Sequence, residues 1–407
     1  MPGMQPHARP ADNTFFPYGI RHVFRTVRHR FRTAVEAAAP PVGSGTMSAV
    51  HPHAWAAEAI RRIRADGPGL APTPLKALTM PAAEGVDIRL KDESALPSGS
   101  MKYRLVRAMF CHAVTSGEIT ADTRVFAATG GPVAVAAARF AQLLELPFTA
   151  VVPAKTPQEQ LDRIVREGGR WQPAEQPPAA VQEETRAVAA RSGGYFLDHF
   201  ADAERAAAAW DGPSVADEIF AQLRSERRPA PEWIVTGAGT GATSATIGRH
   251  LRRHGRPTRL AVVDPENSAY FPAWASGCAD YATGMPSRIP GIGRPRVEPG
   301  FLPGVIDLVI PVPDAASVAA MRWLHDVAGI EAGPAAGTTL WGVCHLVARM
   351  RAAGSGGSVV ALIGDSAEGY RNTHLSAEWL RARDLDPAPY EAELDRFVRT
   401  GDWPTAG

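Results

Sequence analysis

Three short segments of this chain combine residue types and spacings that could do chemistry or bind an anion. The first is K-D-E-S-A-L-P-S-G-S-M-K-Y-R, residues 91–104, with Lys102 at the mouth of an expected helix behind a Pro-Ser-Gly-Ser turn. The positive end of a helix dipole disfavours an ammonium there. The same placement favours the neutral amine, the form that makes a Schiff base with an aldehyde. A solvated surface lysine is the ordinary alternative. The second segment is W-I-V-T-G-A-G-T-G-A-T-S-A-T-I-G, residues 233–248. A strand running into Gly237, Gly239 and Gly241 and then a helix exposes backbone N–H groups, and Thr240 and Thr243 add hydroxyls. Such a turn cradles an anion. It suits a dinucleotide, with Asp264 on the ribose, or the phosphate of pyridoxal phosphate, or it is a bare strand–helix turn. The third is V-V-A-L-I-G-D-S-A-E-G-Y-R-N, residues 359–372, an apolar strand ending at Gly364, Asp365 and Ser366. Loops at the carboxyl ends of parallel strands bind ligands. A serine there suits a ring nitrogen, or it caps an ordinary turn.

The elements that must hold these segments alternate along the chain. The patterning predicts strands over 86–90, 125–128, 148–152, 233–236, 259–264 and 359–363. It predicts helices over 102–116, 132–144, 158–167, 242–253, 316–327 and 338–352. The strands read as continuous apolar runs, as strands covered on both faces do. Repeated βα order implies parallel sheets with right-handed crossovers, an α/β fold. No repeat of 20–50 residues is seen, so a solenoid is disfavoured.

Composition narrows the classes of partner. The 407 residues carry 43 Lys+Arg against 42 Asp+Glu, a net charge of +1, which gives no global attraction for nucleic acid or an acidic membrane. Apolar residues make up 45%, as in globular proteins, yet no apolar run is long enough for a membrane-spanning helix. Cys111, Cys278 and Cys344 are scattered, which argues against a disulfide framework or a zinc knuckle and for a cytoplasmic setting without metal. Arg21, Arg25, Arg28, Arg30 and Arg32 crowd the start, with Phe24, Val27 and Phe31 at helical spacing. That stretch reads as a basic amphipathic helix or, more simply, as a disordered extension before a natural start at Met47. The expected divisions are an extension over 1–48, an N-terminal part over 49–205 that includes a smaller substrate-side domain, a larger phosphate-binding domain over 206–385, and a weakly structured tail over 386–407. One short helix over 390–398 is possible in that tail.

Together the segments resemble the fold type II pyridoxal-phosphate enzymes of the cysteine synthase and cystathionine β-synthase family, over residues 72–380. The likeness rests on P-T-P-L, P-S-G-S-M-K-Y-R, G-A-G-T-G-A-T and D-S-A-E-G-Y followed by L-S-A-E-W-L, in that order. L-D-H-F-A-D-A-E-R from Leu197, V-V-D-P-E-N-S-A from Val262 and I-P-G-I-G-R-P-R-V-E-P from Ile289 look like the mycobacterial-type O-phosphoserine-dependent S-sulfocysteine synthase branch. The resemblance implies two three-layer α/β domains of the tryptophan synthase β type, with pyridoxal phosphate in the cleft between them, and a homodimer. It implies that Lys102 carries the cofactor and moves the Cα proton. It also implies that Gly239, Thr240, Gly241, Ala242 and Thr243 hold the phosphate and that Ser366 faces the pyridine nitrogen. A neutral hydroxyl at that nitrogen favours chemistry at Cβ over transamination.

The implied reaction is β-replacement on O-phosphoserine or O-acetylserine by a sulfur nucleophile. Thr129, Gly130 and Gly131 fall where the family binds the substrate carboxylate. Arg288, Arg294 and Arg296 offer guanidinium forks to a phosphate or sulfonate, or serve as surface residues. This chain departs from the family at Pro132 and Val133, which remove an N–H and a hydroxyl from the substrate loop. It departs again in G-P-A-A-G-T, residues 333–338, and at Ala367 and Gly369, where Gly and Arg are usual. Substrate recognition is therefore expected to be rebuilt around a kept cofactor site. The alternatives are a β-eliminating lyase or dehydratase, a weakly catalytic cofactor-binding partner protein and, from the glycine turn alone, a nucleotide-binding oxidoreductase.

Overall fold

A computed structural model describes residues 52–66 and 71–403. The basic stretch around Arg21–Arg32 and the linker before Met47 lie outside the described residues. The described chain holds two sheets. The larger has six strands, β1 (Leu75–Leu78), β2 (Val86–Asp92), β7 (Trp233–Gly237), β8 (Arg259–Pro265), β9 (Leu308–Val312) and β10 (Gly357–Ile363), in the order β1-β2-β10-β7-β8-β9. All its pairs are parallel except β1 with β2. The smaller, fully parallel sheet is β5-β4-β3-β6, from β3 (Val125–Ala128), β4 (Phe148–Pro153), β5 (Arg170–Ala174) and β6 (Tyr195–Phe196).

The apolar runs are explained by burial on both faces. Along β7, Trp233 and Val235 join one core and Ile234 the opposite one. Along β10, Val359, Ala361 and Ile363 face the first core, while Val360 and Leu362 face the second. The smaller sheet is wrapped by a third core, into which α1 (Pro52–Ala65), α2 (Lys102–Thr115) and α3 (Pro132–Leu143) feed Ile63, Val106, Phe110, Ala137 and Phe140. The result is two α/β layered units, each a sheet covered by helices.

Three differences from the sequence expectation have clear causes. Strands β5 and β9 carry Pro173 and Pro311, residues that weaken a strand signal, and each lies at an edge of its sheet, where a missing N–H is tolerated. The helix α6 (Pro334–Ala352) begins at Pro334 rather than at Thr338, so G-P-A-A-G-T is its first turn and not a loop. Proline at the first helical position needs no N–H partner. The tail is also ordered: helix α7 (Ala388–Thr400) buries Leu394 and Phe397 completely in the large-sheet core. Trp403 then packs on Trp341 and Phe397 at 4.7 and 4.9 Å between ring centroids.

A buried charged cluster joins β2, α2 and α4 (Val215–Leu223). Lys91 donates to Glu218 at 2.8 Å, to Gln222 at 2.8 Å and to the Thr73 carbonyl at 2.8 Å. Arg104, one helical half-turn from Lys102, donates to Glu93 at 2.5 Å and to both oxygens of Glu218 at 2.7 and 2.8 Å. Burial holds the Lys91 ammonium below lysine's usual value. Burial also opposes ionisation of Glu218, but the donors of Arg104 and Lys91 prevail and hold it below the carboxylate range. This cluster anchors the helix that presents Lys102.

Candidate active site

Lys102 is the first residue of α2. Its N–H donates to Ser100 Oγ at 3.1 Å, and the preceding Met101 N–H donates to the Gly364 carbonyl at 2.7 Å. The turn that presents the lysine is thus tied to the end of β10. Gly99 makes that turn at φ +67°, in the left-handed region. Lys102 Nζ donates to the Gly291 carbonyl at 3.2 Å. Part of the side chain stays exposed, yet protein surrounds the amine densely. Desolvation lowers its pKa, and only the charge of Asp365 opposes this. This amine is readily deprotonated, as a Schiff-base lysine requires.

The glycine turn lies against the lysine. A Cβ at Gly239 would sit 2.2 Å from the Gly291 carbonyl oxygen and 3.5 Å from Lys102 Nζ. Gly241, at φ +82°, is the N-cap of α5 (Ala242–Arg253), and a Cβ there would meet the Gly300 carbonyl at 2.2 Å. No side chain fits at either position. Gly241 therefore brings no capping group to the first turn of α5, whose amides suit a phosphate. Thr240 is buried and its hydroxyl accepts from the Ala242 N–H at 3.3 Å. Tyr270 donates to the Gly239 carbonyl and stacks on Phe301, which stiffens the turn from below. Ala242 and Thr243 also border a separate cavity of about 160 Å³ shared with Arg104, Trp210 and His250. Neither Lys102, Gly239 nor Asp365 lines that cavity, so hollow volume is not what marks the site.

The remaining sequence candidates are placed as follows. Thr129, Gly130 and Gly131 link β3 to α3, with Gly131 as N-cap and its N–H donating to Thr129 Oγ1 at 3.3 Å. The departures Pro132 and Val133 are buried, and Val133 joins the small-sheet core. Asp264 is enclosed and accepts from the Phe271 N–H at 2.7 Å, so it is committed to a turn and not open to a ribose. Arg288 pairs with Asp314 at 2.7 Å and Glu266 at 2.8 Å. Arg294 and Arg296 share the buried Glu298 at 3.0 and 3.3 Å, and Arg294 lies over the Phe200 ring at 3.9 Å. All three guanidiniums already have carboxylate partners. Ser366 sits on the side of Gly99, where a Cβ would be 3.3 Å from its Oγ.

Two groups near Lys102 were not singled out from the sequence. Asp365 is buried; one carboxylate oxygen accepts from Tyr370 at 3.2 Å, and the other, Oδ1, has no hydrogen-bond partner. His199 is buried close enough to Lys102 and Arg294 to feel both charges. Desolvation lowers its pKa to about 4, against the pull of Asp198, so it is a neutral imidazole at neutral pH. The only sequence signal for it was its place in L-D-H-F.

Pyridoxal phosphate fits these residues: a desolvated amine for its aldehyde, a glycine-capped helix N-terminus for its phosphate, and a buried carboxylate oxygen left without a partner. The comparisons agree. Residues 67–365 match the family model described as pyridoxal-phosphate dependent enzyme. The chain is 47% identical over 353 residues to the L-cysteine desulfhydrase Cds1 of Mycobacterium tuberculosis, covering 86% of this chain and 96% of that protein. It is 27% identical over 304 residues to the N-(2-amino-2-carboxyethyl)-L-glutamate synthase of Ralstonia nicotianae, covering 72% of this chain and 84% of that one. Among solved structures, an O-ureido-L-serine synthase superposes with TM-score 0.67 at 24% identity, over 79% of this chain and 98% of that one, a likeness of fold. The chain belongs to the pyridoxal-phosphate-dependent enzymes and has their tryptophan synthase β-like fold.

Proposed function

We propose that this enzyme is a lyase that cleaves the Cβ–S bond of L-cysteine or a close thiol amino acid. The reaction consumes water: cysteine plus water gives hydrogen sulfide, pyruvate and ammonia. The observation that carries the reading is the 47% identity over 86% of the chain with an L-cysteine desulfhydrase. The site chemistry is compatible with it. Pyridoxal phosphate supplies the electron sink that makes the substrate Cα proton acidic. Lys102, held as a readily deprotonated amine by desolvation, takes that proton and can return it. The N-terminus of α3 at Thr129–Gly131 binds the substrate carboxylate through backbone N–H groups, with Pro132 contributing none. Because Val133 turns into the core instead of the cleft, this loop holds its substrate with fewer polar contacts than a hydroxyl-rich one would. Arg288 is matched by Asp314 and Glu266, whereas Arg294 and Arg296 share the one carboxylate of Glu298, which leaves that pair a net positive charge for an anionic substrate group.

The second reading is β-replacement. It draws support from the synthase relative. The two part after the leaving group departs: in replacement a nucleophile adds to Cβ, whereas in the lyase Cβ gains only a proton and water takes the place of nitrogen at Cα. One experiment separates the two. Holoprotein is given L-cysteine alone, and sulfide and pyruvate are measured. It is then given O-acetylserine or O-phosphoserine with sulfide or thiosulfate, and new amino acid is measured. Equal yields of sulfide and pyruvate from cysteine support the lyase. Replacement product formed faster than cysteine is consumed overturns it. Lys102→Ala should abolish both activities and the pyridoxyl adduct trapped at residue 102 by borohydride.

A further inference from the structure

We propose that Asp217, His250 and His254 form a binding site for one zinc ion, or a divalent cation of similar ligand preference, and that the bound ion ties the start of α4 to the far end of α5. The site does not depend on the reaction proposed above.

The two histidines are four residues apart at the end of α5, so they rise from successive turns on one face. Their ring centroids are 4.4 Å apart. Asp217 comes from the first turn of α4, and its Oδ1 lies 3.2 Å from His250 Nδ1. One donor atom from each of the three residues lies within 4.8 Å of the other two. Among the described residues, no other group of three His, Cys, Asp or Glu side chains converges in this way. All three border the cavity that Ala242 and Thr243 share, and Asp217 and His254 are exposed, which gives an ion a route in.

The donor set suits zinc. Two imidazoles and a carboxylate bind it at about 2.0–2.2 Å, with ligand atoms about 3.3–3.6 Å apart and a fourth position left to water. Small rotations of Asp217 and His254 close a spread of up to 4.8 Å to that spacing. His250 is already held, because it is buried and its ring stacks on Phe220 at 5.3 Å between centroids. Asp217 Oδ2 accepts from the Ser214 N–H at 2.9 Å and from its hydroxyl at 2.6 Å, a capping box that leaves Oδ1 toward His250. Such outer bonds orient a metal ligand. An unpartnered buried atom is no sign of a ligand by itself: His250 Nε2 has no hydrogen bond, but neither have Thr258 Oγ1 and Ser358 Oγ. What sets this place apart is three metal-binding donors meeting from two helices. The C-terminal end of α5, where His254 is the cap, also favours a cation. Arg253 and Arg256 act against it, whereas Arg249 is paired with Glu204. Affinity should therefore be moderate. No cysteine takes part, so the scattered cysteines are no bar to the site.

The test titrates zinc chloride into full-length holoprotein carrying Cys278→Ser, which removes a competing thiol beside Asp280. Calorimetry should show one zinc per chain with a dissociation constant of roughly 1–100 μM. Cobalt(II) in its place should give the visible bands of a four-coordinate ion. His254→Ala and Asp217→Asn should each weaken zinc at least about tenfold. His325→Ala should change nothing, although that histidine lies between Asp326 and Glu331. Zinc should raise the thermal midpoint of the parent and leave that of His254→Ala where it was. Both ligand positions substituted are exposed, and the midpoint without zinc reports whether each variant is folded. No binding by the parent at about millimolar zinc overturns the proposal. So does binding as tight in His254→Ala and Asp217→Asn as in the parent, or an equal loss in His325→Ala.

Discussion

Replacing Glu218 with glutamine tests whether the buried cluster behind α2 is what fixes the lysine. Lys91 and Arg104 face Glu93 and Glu218 there, two cations against two carboxylates, with side-chain exposures of 0% for Lys91, 16% for Arg104, 1% for Glu93 and 13% for Glu218. Glu218→Gln keeps the shape but leaves one buried positive charge without a counterion. Breaking one side of a buried pair costs about 3–5 kcal/mol. Lys91, with no exposure, bears most of that loss, since Arg104 keeps Glu93. Adding Lys91→Met removes the stranded charge, and the double variant should recover at least about 1 kcal/mol through coupling between the two sites. The assay is the urea midpoint of the holoprotein, followed by tryptophan fluorescence, with the cofactor absorption band read in parallel. The band should be lost earlier in urea than the global signal in Glu218→Gln, because Arg104 and Lys102 share a helix. A loss of only about 0–1 kcal/mol, the cost expected for a solvent-exposed pair, would refute the reasoning. A double variant less stable than Glu218→Gln alone would refute it too.

Two further outcomes follow from buried groups. Burial raises the pKa of Asp264 from 3.8 to about 6, against hydrogen bonds from Ser268 and Phe271. The native state therefore holds that proton more tightly than the unfolded chain does, and Asp264 should cost stability as the pH rises from about 4 to about 6. The change is about 3 kcal/mol by linkage, so Asp264→Asn should gain that much on wild type between pH 4 and pH 7 in denaturation curves. A constant difference across that range would show that the carboxylate is ionised throughout. Phe397→Ala empties a fully buried site under Trp403 and should cost about 3–5 kcal/mol, measured by thermal unfolding. An unchanged midpoint would mean that the tail helix is not part of the core.

The chemistry-bearing segments were readable in the sequence because each depends on local geometry. Gly239 and Gly241 announce a turn that no side chain fits, and Lys102 announces a helix start by its place behind Pro-Ser-Gly-Ser. The runs at 233–236 and 359–363 announce burial on two faces by having no polar alternation. These signals reach only a few residues along the chain, so one chain suffices to show them. From them came the parallel α/β order, and from their joint resemblance to a known family the cofactor class.

What the sequence left open is decided between segments far apart in the chain. Asp365 and Ser366 are adjacent, and a strand end turns neighbours to opposite sides. Only the pairing of 365 with Ser100 and of 366 with Ala332 brings this strand end beside the turn that presents Lys102. Arg294 and Arg296 read as forks for an anionic substrate, and only the fold shows that they share the buried Glu298 and that Arg288 meets Asp314. Val133 reads as a lost hydroxyl, but the core of the small sheet is what claims it. The tail looked weakly structured because its apolar residues are sparse, and Phe397 gains its meaning only against Trp341 and Trp403. Residue type fixes what a side chain is able to do, whereas the long-range packing fixes which group it meets and whether water remains to compete.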